Sequence, residues 1–217
     1  MKTREYRINE MFASPQGEGA RAGRPSLFVR FAGCNLRCTK EPGPRSPGGF
    51  DCDTEFMSGT RMTADQILAD GVRLWNVKYA LHEPWVIFTG GEPMLQLDDE
   101  LVAAFQDDGW HIAIETNGTR AVPAKWALDW IVVSPKVAEH ALRQTTAHEV
   151  RYVRGIRQAL PRTRIVAERY FLSPAFDGTE LDAEALEWCR KLSDDSMAFG
   201  GPRWELSVQQ HKLRGER

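Results

Sequence analysis

The sequence has no apolar run near the ~20 residues needed to cross a bilayer. Its first residues, Met1-Lys2-Thr3-Arg4-Glu5-Tyr6-Arg7, lack the apolar stretch of a secretory signal. A soluble, cytoplasmic protein is the expectation, with no membrane partner. Charge of one sign is also lacking: 28 Lys and Arg stand against 30 Asp and Glu, a formal net charge of −2. That balance gives no electrostatic reason to expect nucleic acid or another polyanion as partner. No internal repeat is visible. Cysteine is scarce, with 4 in 217 residues, and in a reducing compartment a disulfide framework is not expected. Clustered thiols there point to metal binding or catalysis.

The chain is 42% hydrophobic and 27% charged, enough for a sizeable core. Its length suits one ordinary domain or one compact α/β barrel-like unit. The 7 Trp fit core packing, and also large pockets or a buried dimer face. Extended and helical patterns alternate, as in an α/β protein. A first strand is expected at 27–31, ending just before Cys34. Thr63 and Gln66 form a capping box, and the helix it opens should bury Leu68, Val72 and Trp75. Trp85-Val86-Ile87-Phe88 is a continuous apolar run stopped by Thr89-Gly90-Gly91, consistent with a buried parallel strand. A helix with Leu97, Leu101 and Phe105 inward follows, then strands at 111–115 and 130–133. Later strands are expected at 164–172 and 205–208, with a helix over 182–191 between them. The polar, glycine-rich breaks fall at the C-terminal ends of these strands, the edge where parallel α/β folds bind ligands. The stretch 39–49, rich in Pro and Gly, must be an irregular loop.

Cys34, Cys38 and Cys52 share the loop after the first expected strand. Three thiolates suit a soft metal or an iron–sulfur cluster better than a hard cation. A structural zinc site closes with four ligands, whereas a three-Cys cluster leaves one iron open. Scattered free thiols, or a zinc site completed by a His, fit the same spacing. Cys189, three residues after Leu186 on an apolar helix face, reads as core. In Thr89-Gly90-Gly91-Glu92-Pro93, two glycines let a backbone edge approach a ligand closely.

Together the cysteine loop and the Gly-Gly-Glu-Pro segment resemble the radical S-adenosylmethionine (SAM) superfamily. Further segments narrow the resemblance: Ser14-Pro15-Gln16-Gly17-Glu18-Gly19, Gly23-Arg24-Pro25, Arg30-Phe31-Ala32-Gly33-Cys34-Asn35-Leu36-Arg37-Cys38 and Cys52-Asp53-Thr54. With Glu115-Thr116-Asn117-Gly118, Ser134-Pro135-Lys136 and Gln209-Gln210-His211-Lys212, they resemble the 7-carboxy-7-deazaguanine synthase (QueE) family over almost the whole chain. The resemblance implies a carbon–nitrogen lyase of queuosine and deazapurine biosynthesis. It would contract 6-carboxy-5,6,7,8-tetrahydropterin to 7-carboxy-7-deazaguanine and release ammonia. It further implies a 4Fe-4S cluster on Cys34, Cys38 and Cys52, SAM as a regenerated cofactor, and Mg²⁺ on the hydroxyl of Thr54. The hydrogen-abstracting radical comes from SAM, so no side chain is assigned that step. By position, Gly91, Glu92, Glu115, Asn117, Ser134, Lys136 and Ser173 match SAM contacts. Pro15, Gln16, Gly17, Glu18, Arg30, Thr89, His211 and the terminal Arg217 match substrate contacts. Arg30, costly to bury unpaired in an apolar strand, calls for a ligand or a carboxylate partner.

The implied fold is a modified, incomplete (β/α) barrel of the radical SAM type, one unit over 1–217, because 217 residues cannot supply eight βα units. A homodimer and an electron donor such as flavodoxin are the implied partners. The sequence departs from the superfamily at one place. The gap between Cys34 and Cys38 is kept, but an insertion at about 39–51 separates Cys38 from Cys52, a change whose loop-closure cost grows slowly with length. It sets Asp51 where an aromatic residue commonly packs near the SAM adenine, with Phe50 the candidate to replace it. Two rival readings share some motifs: an activase that installs a glycyl radical on a partner protein, and a non-catalytic zinc-stabilised module.

Overall fold

A computed structural model describes residues 3–39, 52, 54–177, 180–199, 201–210 and 213. The insertion at 40–51, with Phe50 and Asp51, lies outside the described residues, as do Asp53, His211 and Arg217.

In chain order the elements are β1 (Tyr6–Pro15), β2 (Pro25–Phe31), β3 (Thr60–Met62), α1 (Ala64–Tyr79), β4 (Trp85–Gly90), α2 (Asp99–Asp107), β5 (His111–Thr116), β6 (Trp130–Val133), β7 (Thr146–Arg154), β8 (Val166–Pro174), β9 (Phe176–Asp177), β10 (Glu180–Leu181), α3 (Ala183–Asp195) and β11 (Trp204–Leu206). Nine strands form one open sheet in the order β11-β8-β7-β6-β5-β4-β2-β1-β3. From β2 to β11 every pairing is parallel, while β1 runs antiparallel to both β2 and β3. This is the expected incomplete barrel of strands and crossovers.

Alternation along the strands sorts the side chains. Leu27, Val29 and Phe31 of β2, Val86 and Phe88 of β4, and Ile112 and Ile114 of β5 pack with α1 and α2 in the main core. Val150 and Tyr152 of β7 and Leu172 of β8 continue that layer beside Cys189 of α3. The opposite face carries a small apolar base of Phe28, Ile87 and Ala113. One step further along the same strands come Arg30, Thr89 and Glu115, with Arg30 paired in register with Thr89. The inner face therefore turns from apolar to polar toward the C-terminal edge.

The capping box of α1 forms as expected, Thr63 accepting from the Gln66 backbone and Gln66 from that of Thr63. Its buried face is displaced by one position: Ile67, Gly71 and Trp75 are buried, and Leu68 and Val72 only flank the core. Gly71 lets the helix lie against Leu27, whose Cδ2 would stand 2.8 Å from an added Cβ. Leu97 is buried but precedes α2, whose cap is Asp98. Three strands of the nine-stranded sheet lie outside the sequence expectations, as do β9 and β10, which pair with each other. The chain's first strand is β1 rather than β2, β3 edges the sheet, and β7 lies in its interior. β1 reads as polar because it borders the edge, and β7 because it buries Glu149 and Arg151.

Candidate active site

A cavity of about 520 Å³ opens at the C-terminal ends of the parallel strands. That volume lies in the range that encloses a small molecule, ~300–1,000 Å³. Cys34, Cys38, Cys52 and Thr54 line it, although Cys38 and Cys52 are separated by the insertion. The Cys52 backbone N–H donates to the Cys38 carbonyl at 3.2 Å, which returns the chain to the same wall. Cys34 follows β2 through Gly33, whose φ of +91° suits glycine alone. The Cys34 sulfur accepts from the Leu36 N–H at 3.4 Å, and burial pushes its thiol above the ordinary value.

The Thr89-Gly90-Gly91 turn is stitched to this loop. Gly91 N–H donates to the Phe31 carbonyl at 3.0 Å, and Glu92 N–H to the Gly33 carbonyl at 2.9 Å. A Cβ on Gly91 would collide with the Gly33 carbonyl. Gly91 does line the cavity, yet its missing side chain first serves the close packing of two backbone segments. Glu92, expected as a SAM contact, is fully buried (0% exposed) and is absent from the cavity wall. Its carboxylate accepts from Thr116 Oγ1 (2.7 Å), Asn117 N–H (2.8 Å) and Met94 N–H (3.0 Å). Glu92 thus shapes the turn that presents Asn117, and Asn117 Nδ2 in turn donates to Asn35 in the cysteine loop at 3.0 Å. Burial raises the Glu92 carboxyl above its ordinary value despite those donors.

On the other side, Pro15, Gln16, Gly17 and Glu18 lie at the turn between β1 and β2 and all line the cavity. Glu115, expected among SAM contacts, is hydrogen-bonded to the expected substrate group instead. Gln16 Nε2 donates to one oxygen at 3.1 Å and Thr89 Oγ1 to the other at 3.0 Å. Arg30 has its carboxylate partner, Glu10, at 2.8 Å, and still lines the cavity. Ser134, Lys136 and Ser173 line it too. Ser173 Oγ is buried without a hydrogen-bond partner among the described residues, a polar group that a ligand would satisfy.

Sequence reasoning missed Glu149 and Arg151. Arg151 is 6% exposed, lines the cavity, and meets the carboxylates of Glu18, Glu115 and Glu149. Burial alone would lower its pKa; the charges of Glu18, Glu149 and Glu115 outweigh that and hold it above the ordinary range. A signal existed: opposite charges at i and i+2 of a strand share one face.

Among the described residues, no three His, Cys, Asp or Glu side chains are gathered as a metal-holding group. The donor chemistry nevertheless fits an iron–sulfur cluster, with three cysteines, none in a disulfide, lining one cavity.

A scan against protein-family models gave no match. Curated relatives named 7-carboxy-7-deazaguanine synthase match almost end to end. The protein of Bradyrhizobium diazoefficiens is 40% identical, covering 98% of this chain and 99% of the relative. That of Burkholderia multivorans is 40% identical over 95% and 97%. The chain belongs to the 7-carboxy-7-deazaguanine synthase family. A further relative carrying that name, from Caulobacter vibrioides, is 38% identical over 97% of this chain. The crystal structure of QueE from Escherichia coli shares the fold, with a TM-score of 0.62, 24% identity and 95% of each chain covered. This family member is therefore an open-sheet α/β protein with the fold of that QueE structure. No helix among the described residues is long and apolar enough to cross a membrane.

Proposed function

We propose that the chain converts 6-carboxy-5,6,7,8-tetrahydropterin to 7-carboxy-7-deazaguanine and ammonia, as a carbon–nitrogen lyase in queuosine and deazapurine biosynthesis. One observation carries the reading. In a chain matching synthases of that name along its whole length, the three cysteines and the Gln16-Gly17-Glu18 turn line one cavity.

Cys34, Cys38 and Cys52 would hold a 4Fe-4S cluster. When bound, the cluster supplies the one-electron reduction that turns SAM into a 5′-deoxyadenosyl radical source. The protein's own contribution is placement and exclusion of water. Gly91, Asn117, Ser134, Lys136 and Ser173 form the SAM side, and the partnerless Ser173 hydroxyl supports a ligand there. Gln16, Glu18, Thr89 and Glu115 form the pterin side, where ionised carboxylates accept hydrogen bonds from ring N–H groups. Arg30 directs its guanidinium to the substrate carboxylate and is neutralised by Glu10 before the ligand arrives. Thr54, beside Cys52 on the cavity wall, would hold Mg²⁺ through its hydroxyl, and the ion would help to orient the substrate's oxygens. A cytoplasmic homodimer reduced by a flavodoxin-like donor completes the reading.

The test is anaerobic reconstitution with iron and sulfide, then incubation with the carboxy-tetrahydropterin, SAM, Mg²⁺ and reductant. A visible charge-transfer band and a deazaguanine product are expected. A colourless protein carrying one zinc per chain, or a competent cluster without that product, overturns the assignment.

A further inference from the structure

Beneath the pterin side lies a buried ion pair, Glu149 and Arg151, to which the expected contacts assign no role. Arg151 directs Nε and one terminal nitrogen to Glu149 Oε1, at 2.9 and 2.7 Å. Its other terminal nitrogen donates to Glu18, and the first also lies 3.7 Å from Glu115. Glu149 is 1% exposed, and its second oxygen accepts from the Ala20 N–H at 3.0 Å. It is thus clamped between Arg151 and the turn that carries Glu18. Gly19 in that turn has φ +68°, and a Cβ there would run into the Glu149 carboxylate. The turn sits on Glu149 as closely as a backbone can.

We propose that Arg151, anchored by Glu149, is a positioning residue that holds Glu18 and Glu115 as hydrogen-bond acceptors, so that the site selects a ring edge presenting N–H donors. This rests on the reading of the cavity as a pterin site. An ionised carboxylate only accepts, whereas a protonated one also donates. Without a cation at their centre, neighbouring buried acids favour sharing protons. Other charged groups bear on the cluster from outside it. Arg21, from the turn after Glu18, and Arg169 of β8 act on Glu149, and Asp129 acts on Arg21. Arg30 with Glu10, and Lys136, stand on the cavity wall or beside it. Arg169 is committed to Glu205 at 2.7 Å, and Arg21 stacks on the Trp85 ring at 3.3 Å, so neither replaces the fork of Arg151.

Loaded holoenzymes of wild type, Arg151→Lys, Arg151→Gln and the double variant Glu149→Gln/Arg151→Gln are compared between about pH 6 and pH 9. Steady-state turnover is measured beside direct pterin binding without reductant. Arg151→Gln should raise the pterin KM about tenfold or more near pH 7. The loss should shrink as pH rises and the grouped acids lose their proton. Cluster absorbance and SAM affinity should stay at wild-type values. Arg151→Lys, which keeps the charge but loses the fork, should bind more weakly, with a pH profile parallel to that of wild type. If Arg151→Gln does not fold, the double variant leaves no unpaired buried charge in the anchoring pair and must show the same pH-dependent loss. Unchanged affinity, or a loss of equal factor at every pH, overturns the proposal. Wild type that binds no pterin at any pH instead overturns the functional reading and the selectivity built on it. Wild type that binds and turns over while the variants behave as wild type overturns the role of Arg151 alone.

Discussion

On one wall of the cavity, Cys34 and Cys38 are half-buried and Cys52 is exposed, all carried on loop backbone. On a second wall, Glu18, Glu115 and Arg151, backed by the buried Glu149, interlock from the β1–β2 turn, the end of β5 and the interior of β7. The first wall presents three thiols, the proposed ligands of a cluster. The second is already satisfied by the chain itself. That difference explains why an insertion between Cys38 and Cys52 is tolerated: the loop need only return to the wall, as the Cys52–Cys38 backbone hydrogen bond shows. No such slack exists on the other wall, where Glu149 touches both the turn backbone and a guanidinium.

The sharpest way to separate the walls is to delete one group from each. Cys38→Ala should reduce product formation to background while the thermal midpoint of the metal-free chain moves by less than about 3 °C. Retained turnover would remove Cys38 from the ligand set. Glu149→Ala should act in the opposite sense. It strips a buried partner from Arg151 and should cost about 3–5 kcal/mol in urea unfolding of the metal-free chain. A cost below 1 kcal/mol, roughly that of an exposed pair, would show that the wall is not held by buried charge.

Glu92, which ties the cysteine loop to the end of β5, allows a finer test. Glu92→Gln sets an amide N–H₂ against at least one of the Thr116, Asn117 and Met94 donors, a mismatch worth about 1–3 kcal/mol. Its pH dependence has a definite sign. Burial raises the folded-state pKa above the ordinary 4.5, so the folded chain binds more protons than the unfolded one in that window. The group's contribution to stability is therefore full below 4.5 and declines as pH rises through the raised value. The Gln variant should lack that decline in thermal unfolding followed against pH; an identical slope in both proteins would refute it. The smallest effect is expected at Thr54→Ala, which should leave stability within about 0.5 kcal/mol. It should weaken the response of turnover to Mg²⁺ more than SAM affinity, and an unchanged Mg²⁺ titration would rule Thr54 out as a ligand.

Much of the first wall was legible in the sequence. Cysteines after an apolar strand, and the stops Thr89-Gly90-Gly91, Thr116-Asn117-Gly118 and Ser134 after others, place polar groups at one sheet edge because parallel strands all end there. Periodicity identified β2, β4, β5 and β6, whose outward residues are apolar. It failed for β7, where His148-Glu149-Val150-Arg151-Tyr152 alternates charge with core residues and does not look like the interior of a sheet. Of two residues matched by resemblance to SAM contacts, Glu92 is enclosed behind the wall and Glu115 bonds with Gln16 and Thr89, neither of which spacing could show.

What the sequence determined by itself is the order of strands and stops, the soft-ligand chemistry of the cysteine loop, and through its motifs the family. Each depends on residues close together along the chain, where spacing alone sets which face or end a side chain occupies. Only the tertiary structure decided how the sheet is strapped together. The β1–β2 turn reaches residues far along the chain, with Gly19 N–H donating to Ser207 Oγ at 2.9 Å, the Gln210 N–H donating to the Gly17 carbonyl at 3.0 Å, and Glu18 meeting Arg151 across 133 positions. Glu149 and Arg151 pair locally within β7, but Glu18 and Glu115 reach that pair only through the fold, so the burial of the cluster cannot be read from spacing alone.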